Sequence, residues 1–302
     1  MSLSYALAAK DFKTILDFLR FGITQAEEAG LFYGHGTDNA WDEIHALILG
    51  LLFLPSDVDP LWFGSALTVD EKAKLIHGLE RRIQERVPVP YITHTAYFCD
   101  LPFYVDERVL IPRSPLAELI KQQFSPWLAA SHVHRILDLC TGSGCIAIAC
   151  AYAFPDAVVD AVDISKEALQ VARRNRERHG LASVLHLIES DGMEALGEVM
   201  YDLIVCNPPY VSSEEMSTLP EEYRHEPVLA LEAAKQGMAL VETILEQAGR
   251  HLSPHGIIVM EVGHSEEALL SLYPEVPFTW VDLEQGGQGI FVLTAAEVHH
   301  YF

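Results

Sequence analysis

Asn207, Pro208, Pro209 and Tyr210 follow directly on the apolar run Leu203-Ile204-Val205. The run reads as a buried strand. Two prolines, which lack backbone N–H donors, cannot continue it inside a sheet, so the four residues stand at a strand end. An NH2 group bonded to a carbonyl or an aromatic ring has its lone pair delocalised and is a poor nucleophile. The Asn207 side-chain oxygen and the Pro208 carbonyl can each accept one of its hydrogens. Two such bonds orient the nitrogen toward an incoming methyl and favour the positive charge that develops on transfer. The prolines offer these acceptors with no competing N–H, and the Tyr210 ring can cover the planar face of an amide or base. The plainer reading is a turn opened by Asn-Pro, and what lies beside the tetrad decides between them.

The stretch DLCTGSGCIAIA (138–149) follows one strand and opens a helix. Gly142 and Gly144 allow a tight turn and close approach of the backbone to a ligand. About twenty residues on, Asp163 ends a second strand, where an acid can accept hydrogen bonds from ribose hydroxyls. With Ala147 third, G-x-G-x-x-A also suits a dinucleotide enzyme. Two acids tilt the reading toward S-adenosylmethionine. Asp138, at the first strand's tip, can face a cationic amino-acid end, and Asp191, at the end of a third strand, can reach an adenine amino group. Either acid can instead be a helix cap or turn residue. The expected cofactor-binding set is Asp138, Thr141, Gly142, Ser143, Gly144, Asp163, Ile164, Asp191 and Gly192, with Asn207 beside them. The expected catalytic residues are Asn207, Pro208, Pro209 and Tyr210. No metal and no Cys nucleophile is needed, and Cys206 reads as strand packing.

These residues require a frame. Strands alternate with helices from about residue 134: RILDL, AVVDAVD, VLHLIES, YDLIVC and GIIVMEV are separated by helical runs, which implies βαβ units and a parallel sheet. FTWVDL and GIFVLTA lie too close together for an intervening helix and should pair antiparallel at the sheet edge. In such a sheet ligands bind at the carboxyl ends of strands near the switch in strand order. The fourth strand should end beside the first, so that the tetrad faces the cradle. Ahead of this lies a helical region, with apolar spacing over Tyr5–Phe21, Trp41–Leu54 and Leu67–Ile83 and a capping-box spacing from Thr68 to Glu71. Prolines 88 and 90 in VPVPYI (87–92) predict its end. Thr95–Cys99 and Phe103–Ile111 read as a hairpin around Asp100-Leu101-Pro102, leading to a helix near Pro115. The expected domains are residues 1–92, helical; 93–112, the linking hairpin; and 113–302, the α/β domain.

The 302 residues carry a formal charge of -23. That surface repels nucleic-acid phosphates and attracts a basic partner, although solubility alone would also explain it. Five cysteines without a C-x-x-C pair argue against a disulfide framework and structural zinc. The longest apolar run, Ala46–Leu54, is about half the ~20 residues a membrane span needs. The N-terminus lacks the features of a signal peptide, so a soluble, cytoplasmic protein without a membrane partner is expected.

DLCTGSG, VDIS and NPPY resemble the HemK-like family of protein glutamine N5-methyltransferases, over nearly the whole chain. The resemblance implies a class I S-adenosylmethionine-dependent, Rossmann-like methyltransferase domain behind a helical substrate-recognition domain. IPRSPLAELI (111–120), with Ser114 and Leu116, resembles the branch acting on large-subunit ribosomal protein three more than the release-factor branch, whose usual residues there are P-R-P-E-T-E. It implies a basic ribosomal protein as partner, with Asn207, Pro208, Tyr210 and Arg113 as substrate-binding residues. Arg113 has a second reading as a pin for the hairpin. RHEPVLALEAAKQGM (224–238) departs from the family block at Ala233 and Ala234, where glycines are usual, and at Gln236, where an Asp is usual. QGGQGIF (285–291) contains the Gly-Gly-Gln that release factors present for methylation. It reads as a glycine-rich turn, with self-methylation at Gln288 as the other reading. A release-factor methyltransferase, a nucleic-acid adenine methyltransferase and a non-catalytic cofactor-binding assembly factor are the rival functions.

Overall fold

Thr68 and Glu71 form a reciprocal capping box, as their spacing predicts: the Thr68 hydroxyl accepts from the Glu71 N–H, and the Glu71 carboxylate accepts from the Thr68 N–H. The structure, a computed structural model, describes residue 5 and residues 10–234, 238–284 and 286–302. It divides into two units. One comprises Met1–Ala96 with Pro220–His225, and the other Tyr97–Leu219 with Glu226–Phe302.

The first unit contains α1 (Ile15–Ala29), α2 (Ala40–Leu51), α3 (Val69–Ile83) and α4 (Val89–Thr93). Phe18, Leu19, Ile44, Leu47, Ile48, Leu75 and Leu79 are buried, the inner faces that the helical spacing foretold. α1 starts at Ile15, where Thr14 caps it with Asp17. Tyr5, Lys10 and Asp11 are helical as expected, but Phe12–Thr14 are not, so the helical run from Tyr5 is interrupted before Ile15; residues 6–9 lie outside the described residues. α2 stops at Leu51 rather than Leu54, because Phe53 takes a φ of 56°, which a right-handed helix cannot hold. VPVPYI is a correction of another kind. Pro88 caps α4, and Pro90 sits in its first turn, where the missing N–H costs no helical bond. The prolines open a short helix there.

A hairpin, β1 (Ala96–Phe98) and β2 (Leu101–Phe103), leads into the second unit. Its turn is Cys99-Asp100, both at positive φ, not Asp100-Leu101-Pro102. The second strand ends at Phe103, and residues 104–111 are irregular. After α5 (Leu116–Lys121) come β3 (Arg135–Leu139), α6 (Cys145–Ala153), β4 (Val158–Asp163), α7 (Lys166–Arg178), β5 (Leu185–Glu189), β6 (Tyr201–Cys206) and α8 (Ser213–Met216). The chain then forms α9 (Ala239–Ala248), β7 (Leu252–Glu261), α10 (Glu266–Leu272), β8 (Thr279–Trp280), β9 (Ile290–Thr294) and α11 (Ala295–Tyr301). One seven-stranded sheet runs β5-β4-β3-β6-β7-β9-β8. The pairings from β5 to β7 are parallel, and those of β9 with β7 and β8 are antiparallel. This is the α/β class expected, with the final antiparallel pair at the edge. β6 lies beside β3, and Cys206 is in register with Leu139. Both sheet faces are apolar, one under α5 and α6 and the other under α9, as buried parallel strands require. No described helix is long and apolar enough to cross a membrane.

Candidate active site

The register across β3, β4, β5 and β6 brings Leu139, Val162 and Cys206 side by side, with Asp163 opposite Glu189. The loops leaving these four strands open together, and β3 has β4 on one side and β6 on the other, the switch in strand order. A cleft forms there. Gly142, Asp163, Ile164, Asp191, Gly192, Asn207 and Pro209 line it. Of the expected residues, Asp138, Thr141, Ser143, Gly144, Pro208, Tyr210 and Arg113 do not.

Asp163 organises the cradle. Its Oδ2 accepts from the Gly142 N–H at 2.8 Å and its Oδ1 from the Ser165 N–H at 2.9 Å. Burial raises its pKa, and the backbone N–H groups of Ser165, Gly142 and Ile164 oppose that rise. With three backbone donors on its two oxygens, the carboxylate keeps acceptor capacity for one hydroxyl in the cleft. Gly142 has a φ of +54°, and a Cβ there would meet no atom within 4 Å, so its outer side is open space where a ligand can approach backbone. An acid with a free lone pair beside a bare peptide fits the ribose end of a nucleoside cofactor. Asp163→Ala removes those acceptors and releases the Gly142 turn. We expect cofactor Kd to rise by about 10- to 100-fold, the range for a lost charge-assisted bond, as measured by isothermal titration.

Asp138 corrects the sequence reading. Its side chain is fully buried behind the cradle, where Oδ2 accepts from the Thr141 hydroxyl at 2.6 Å and the Ala147 N–H at 3.0 Å. It braces the turn from Thr141 into α6 instead of facing the cleft, and Oδ1 has no protein partner. Desolvation pushes its pKa up to about 7, against the hydrogen bonds from Thr141 and Ala147. The folded chain thus holds a proton that the unfolded chain releases near pH 4. This group's contribution to stability is present in full below about pH 4 and is lost as pH rises to about 7. Melting temperatures of the wild type and Asp138→Asn should therefore converge at low pH, with the wild type falling relative to the variant between pH 5 and 7.

The tetrad is held from behind. The Tyr210 hydroxyl donates to Glu261 Oε1 at 2.9 Å, and the Ser265 hydroxyl donates to the Tyr210 carbonyl at 3.1 Å. Glu261, buried at the end of β7, also accepts from the Ser114 hydroxyl. Burial raises its pKa, opposed by these hydroxyl bonds and by Arg113. A Cβ on Gly263 would lie 2.5 Å from the Tyr210 ring, so only glycine admits that ring. On the far side, the Val211 N–H donates to the Leu231 carbonyl and the Ala233 N–H to the Val211 carbonyl, both at 2.9 Å. Ala233 and Ala234 are not among the positive-φ residues, so alanine is accommodated where the family places glycine. Gln236 lies outside the described residues.

Both forks of Arg113 engage Glu226, at 2.6 and 2.9 Å, and the Ile111 N–H donates to the same carboxylate at 2.9 Å. These bonds tie Arg113 to the stretch that carries Glu226, an arrangement that favours the pin reading. Glu226 and Glu261 are the residues that sequence reading missed, since their partners lie more than 100 positions away in sequence. The next residue, Pro227, lines the cleft with Leu229 and Ala230. The EPVLAL run was the available signal. In QGGQGIF, Gln285 lies outside the described residues. Gly286, Gly287 and Gly289 all have positive φ, and a Cβ on Gly289 would fall 2.0 Å from the Gly263 carbonyl oxygen, so the turn itself demands these glycines. The Cys206 thiol is buried, and burial raises its pKa well above the ordinary value, which keeps it un-ionised and unsuited to nucleophilic attack.

The chain matches the Methyltransferase small domain family over residues 120–222. It is 47% identical over 292 residues to a protein of Neisseria meningitidis serogroup B described as a ribosomal protein uL3 glutamine methyltransferase, covering 96% of each chain. The serogroup A protein of the same description is also 47% identical, again with 96% of each chain covered. Among solved structures, the hMettl16 catalytic domain in complex with a MAT2A 3′UTR hairpin is similar at 17% identity, covering 74% of this chain and 80% of that one, with a TM-score of 0.49.

Proposed function

We propose a reaction from the premise that this chain belongs to the family of ribosomal protein uL3 glutamine methyltransferases: it methylates the side-chain amide nitrogen of a glutamine in ribosomal protein uL3. The observation that carries the reading is the register of β3 with β6, which sets Asn207 and Pro209 into the same cleft as Gly142 and Asp163.

In this reading S-adenosylmethionine, when bound, supplies an electrophilic methyl group. Asp163 and the Gly142 turn hold its ribose, Asp191 and Gly192 flank its base, and Asp138 keeps the turn rigid from behind. Asn207 Oδ1 and the Pro208 carbonyl accept the two hydrogens of the glutamine amide. The amide nitrogen is thereby fixed, and positive charge developing on it is stabilised as its bond to carbon forms. Tyr210 covers the amide plane, with its hydroxyl anchored on Glu261. As the nitrogen–carbon bond forms, the methyl–sulfur bond breaks with its electron pair kept by sulfur, and one amide proton passes to solvent water. The acidic character of the chain, formally -23, suits a basic protein substrate and opposes nucleic acid.

The test is incubation of the purified chain with methyl-labelled S-adenosylmethionine and either unmethylated uL3 or an unmethylated release factor. Label on a glutamine of uL3 alone is the expected result. Label on the release factor alone would keep the chemistry and overturn the substrate. Label on neither would overturn both.

A further inference from the structure

Between Arg20 and Lys72 the sequence has no Lys or Arg and nine Asp or Glu. Large apolar side chains are exposed on the same stretch of the first unit: Trp41 at 55%, Leu61 at 84% and Trp62 at 55%. Trp41 heads an ordered aromatic run, and Leu61 and Trp62 stand on the turn that carries its last ring. Trp41 on α2 stacks on His45, with ring planes 11° apart, and His45 meets Phe63 edge-on at 5.7 Å between centroids. Phe63 and Trp62 lie in the 3-10 turn Pro60–Gly64, which Asp59 caps by accepting the Leu61 N–H at 2.9 Å. Asp42, beside Trp41, and Asp59, beside the turn, are both exposed.

Contiguous exposed apolar surface rimmed by polar groups marks an interaction site, and capped elements carrying large aromatic rings bind at low entropic cost. The sign of the rim selects the partner. Phosphates and a second copy of this acidic surface are repelled. Lys and Arg side chains can stack on indole faces while pairing with the flanking carboxylates. We propose that the Trp41–His45–Phe63–Trp62 strip docks a basic segment of the substrate protein, distinct from the glutamine that is methylated. The proposal rests on the ribosomal-protein reading above and adds to it a recognition surface.

The test separates the two. Binding of fluorescently labelled, unmethylated uL3 is followed by anisotropy, and methyl transfer is followed in parallel, for the full-length wild type, Trp41→Ser/Trp62→Ser and Asp42→Asn/Asp59→Asn. Asparagine retains a capping oxygen, so the second variant keeps the turn. Both variants should bind uL3 at least about tenfold more weakly and show a raised KM, with kcat at saturation and the Kd for S-adenosylmethionine unchanged. Going from about 50 to 200 mM salt should weaken wild-type binding more than that of the Asp→Asn variant. Binding and KM equal to wild type in both variants would overturn the docking surface while leaving the reaction intact. Weakened binding in a protein that transfers no label would overturn the reaction and leave the surface standing. Absence of wild-type binding would overturn the surface.

Discussion

Asn207→Ala should lower kcat by about 100- to 1,000-fold, the usual effect of removing one preorganised hydrogen-bond partner of a transition state. Its Kd for S-adenosylmethionine should stay within about threefold of wild type, because Asp163 and Gly142, which organise the cradle, are untouched. The asymmetry follows from what each group holds. An amide nitrogen in the ground state keeps its lone pair in the carbonyl and is nearly neutral. As the N–C bond forms, that delocalisation is lost, the N–H hydrogens become more positive, and an acceptor aimed at them gains most in the transition state. Alanine leaves one acceptor, the Pro208 carbonyl, and a nitrogen free to rotate. The backbone should not move, since Val211 is tied to Leu231 and Ala233 and Tyr210 to Glu261 and Ser265. Single-turnover rates beside calorimetric cofactor binding make the measurement. Undiminished turnover would remove Asn207 from the chemistry. Undiminished biological activity despite lost turnover would favour the assembly-factor reading.

The sheet was legible because buried parallel strands announce themselves as short apolar runs between turn residues, and RILDL and YDLIVC match β3 and β6 to the residue. The places of Gly142, Asp163, Asp191 and Asn207 in the cleft were legible for the same reason, since each stands at a strand's last residue or within three residues of it. Other features required three dimensions. Asp138 occupies a strand tip in sequence, but its carboxyl is buried outside the cleft lining, where Thr141 and Ala147 donate to it. Nothing local says that Ser114 will reach Glu261, or Arg113 Glu226, across more than 100 residues. Pro88 and Pro90 misled because proline forbids a helix interior yet suits a first turn, and only the tertiary setting decides which of these a short apolar segment becomes.

The second large effect lies in the first unit. Arg82 is 1% exposed. Its Nε donates to Glu43 at 2.7 Å, its Nη1 to Glu222 at 3.4 Å and its Nη2 to the Phe32 carbonyl at 2.9 Å. Glu222 arrives from far along the chain, in the Pro220–His225 segment that belongs to this unit, and it also accepts from Arg86 and the Phe32 N–H. Burial alone would raise the Glu222 pKa, but the Phe32 N–H and the two guanidiniums outweigh it and hold the carboxyl below its usual range. Arg82→Ala leaves two buried carboxylates and a carbonyl short of a donor and creates a cavity besides. Breaking a buried pair from one side costs about 3–5 kcal/mol, whereas an intact buried network returns little net stability over a hydrophobic isostere. The expected signature is therefore non-additive. Arg82→Ala should destabilise α1–α3 by that amount in native-state hydrogen exchange, and Arg82→Met/Glu43→Leu should recover a substantial part of it, because removing Glu43 removes one of the two stranded charges and the other, Glu222, keeps Arg86 and the Phe32 N–H. Because Pro209 and Pro227, on either side of the returning segment, line the cleft, turnover of Arg82→Ala should fall as the segment loosens and rise again in the double variant. A single variant as stable as wild type would show that water already satisfies these carboxylates and that the returning segment is held by its aromatic contact of Phe32 with Tyr223.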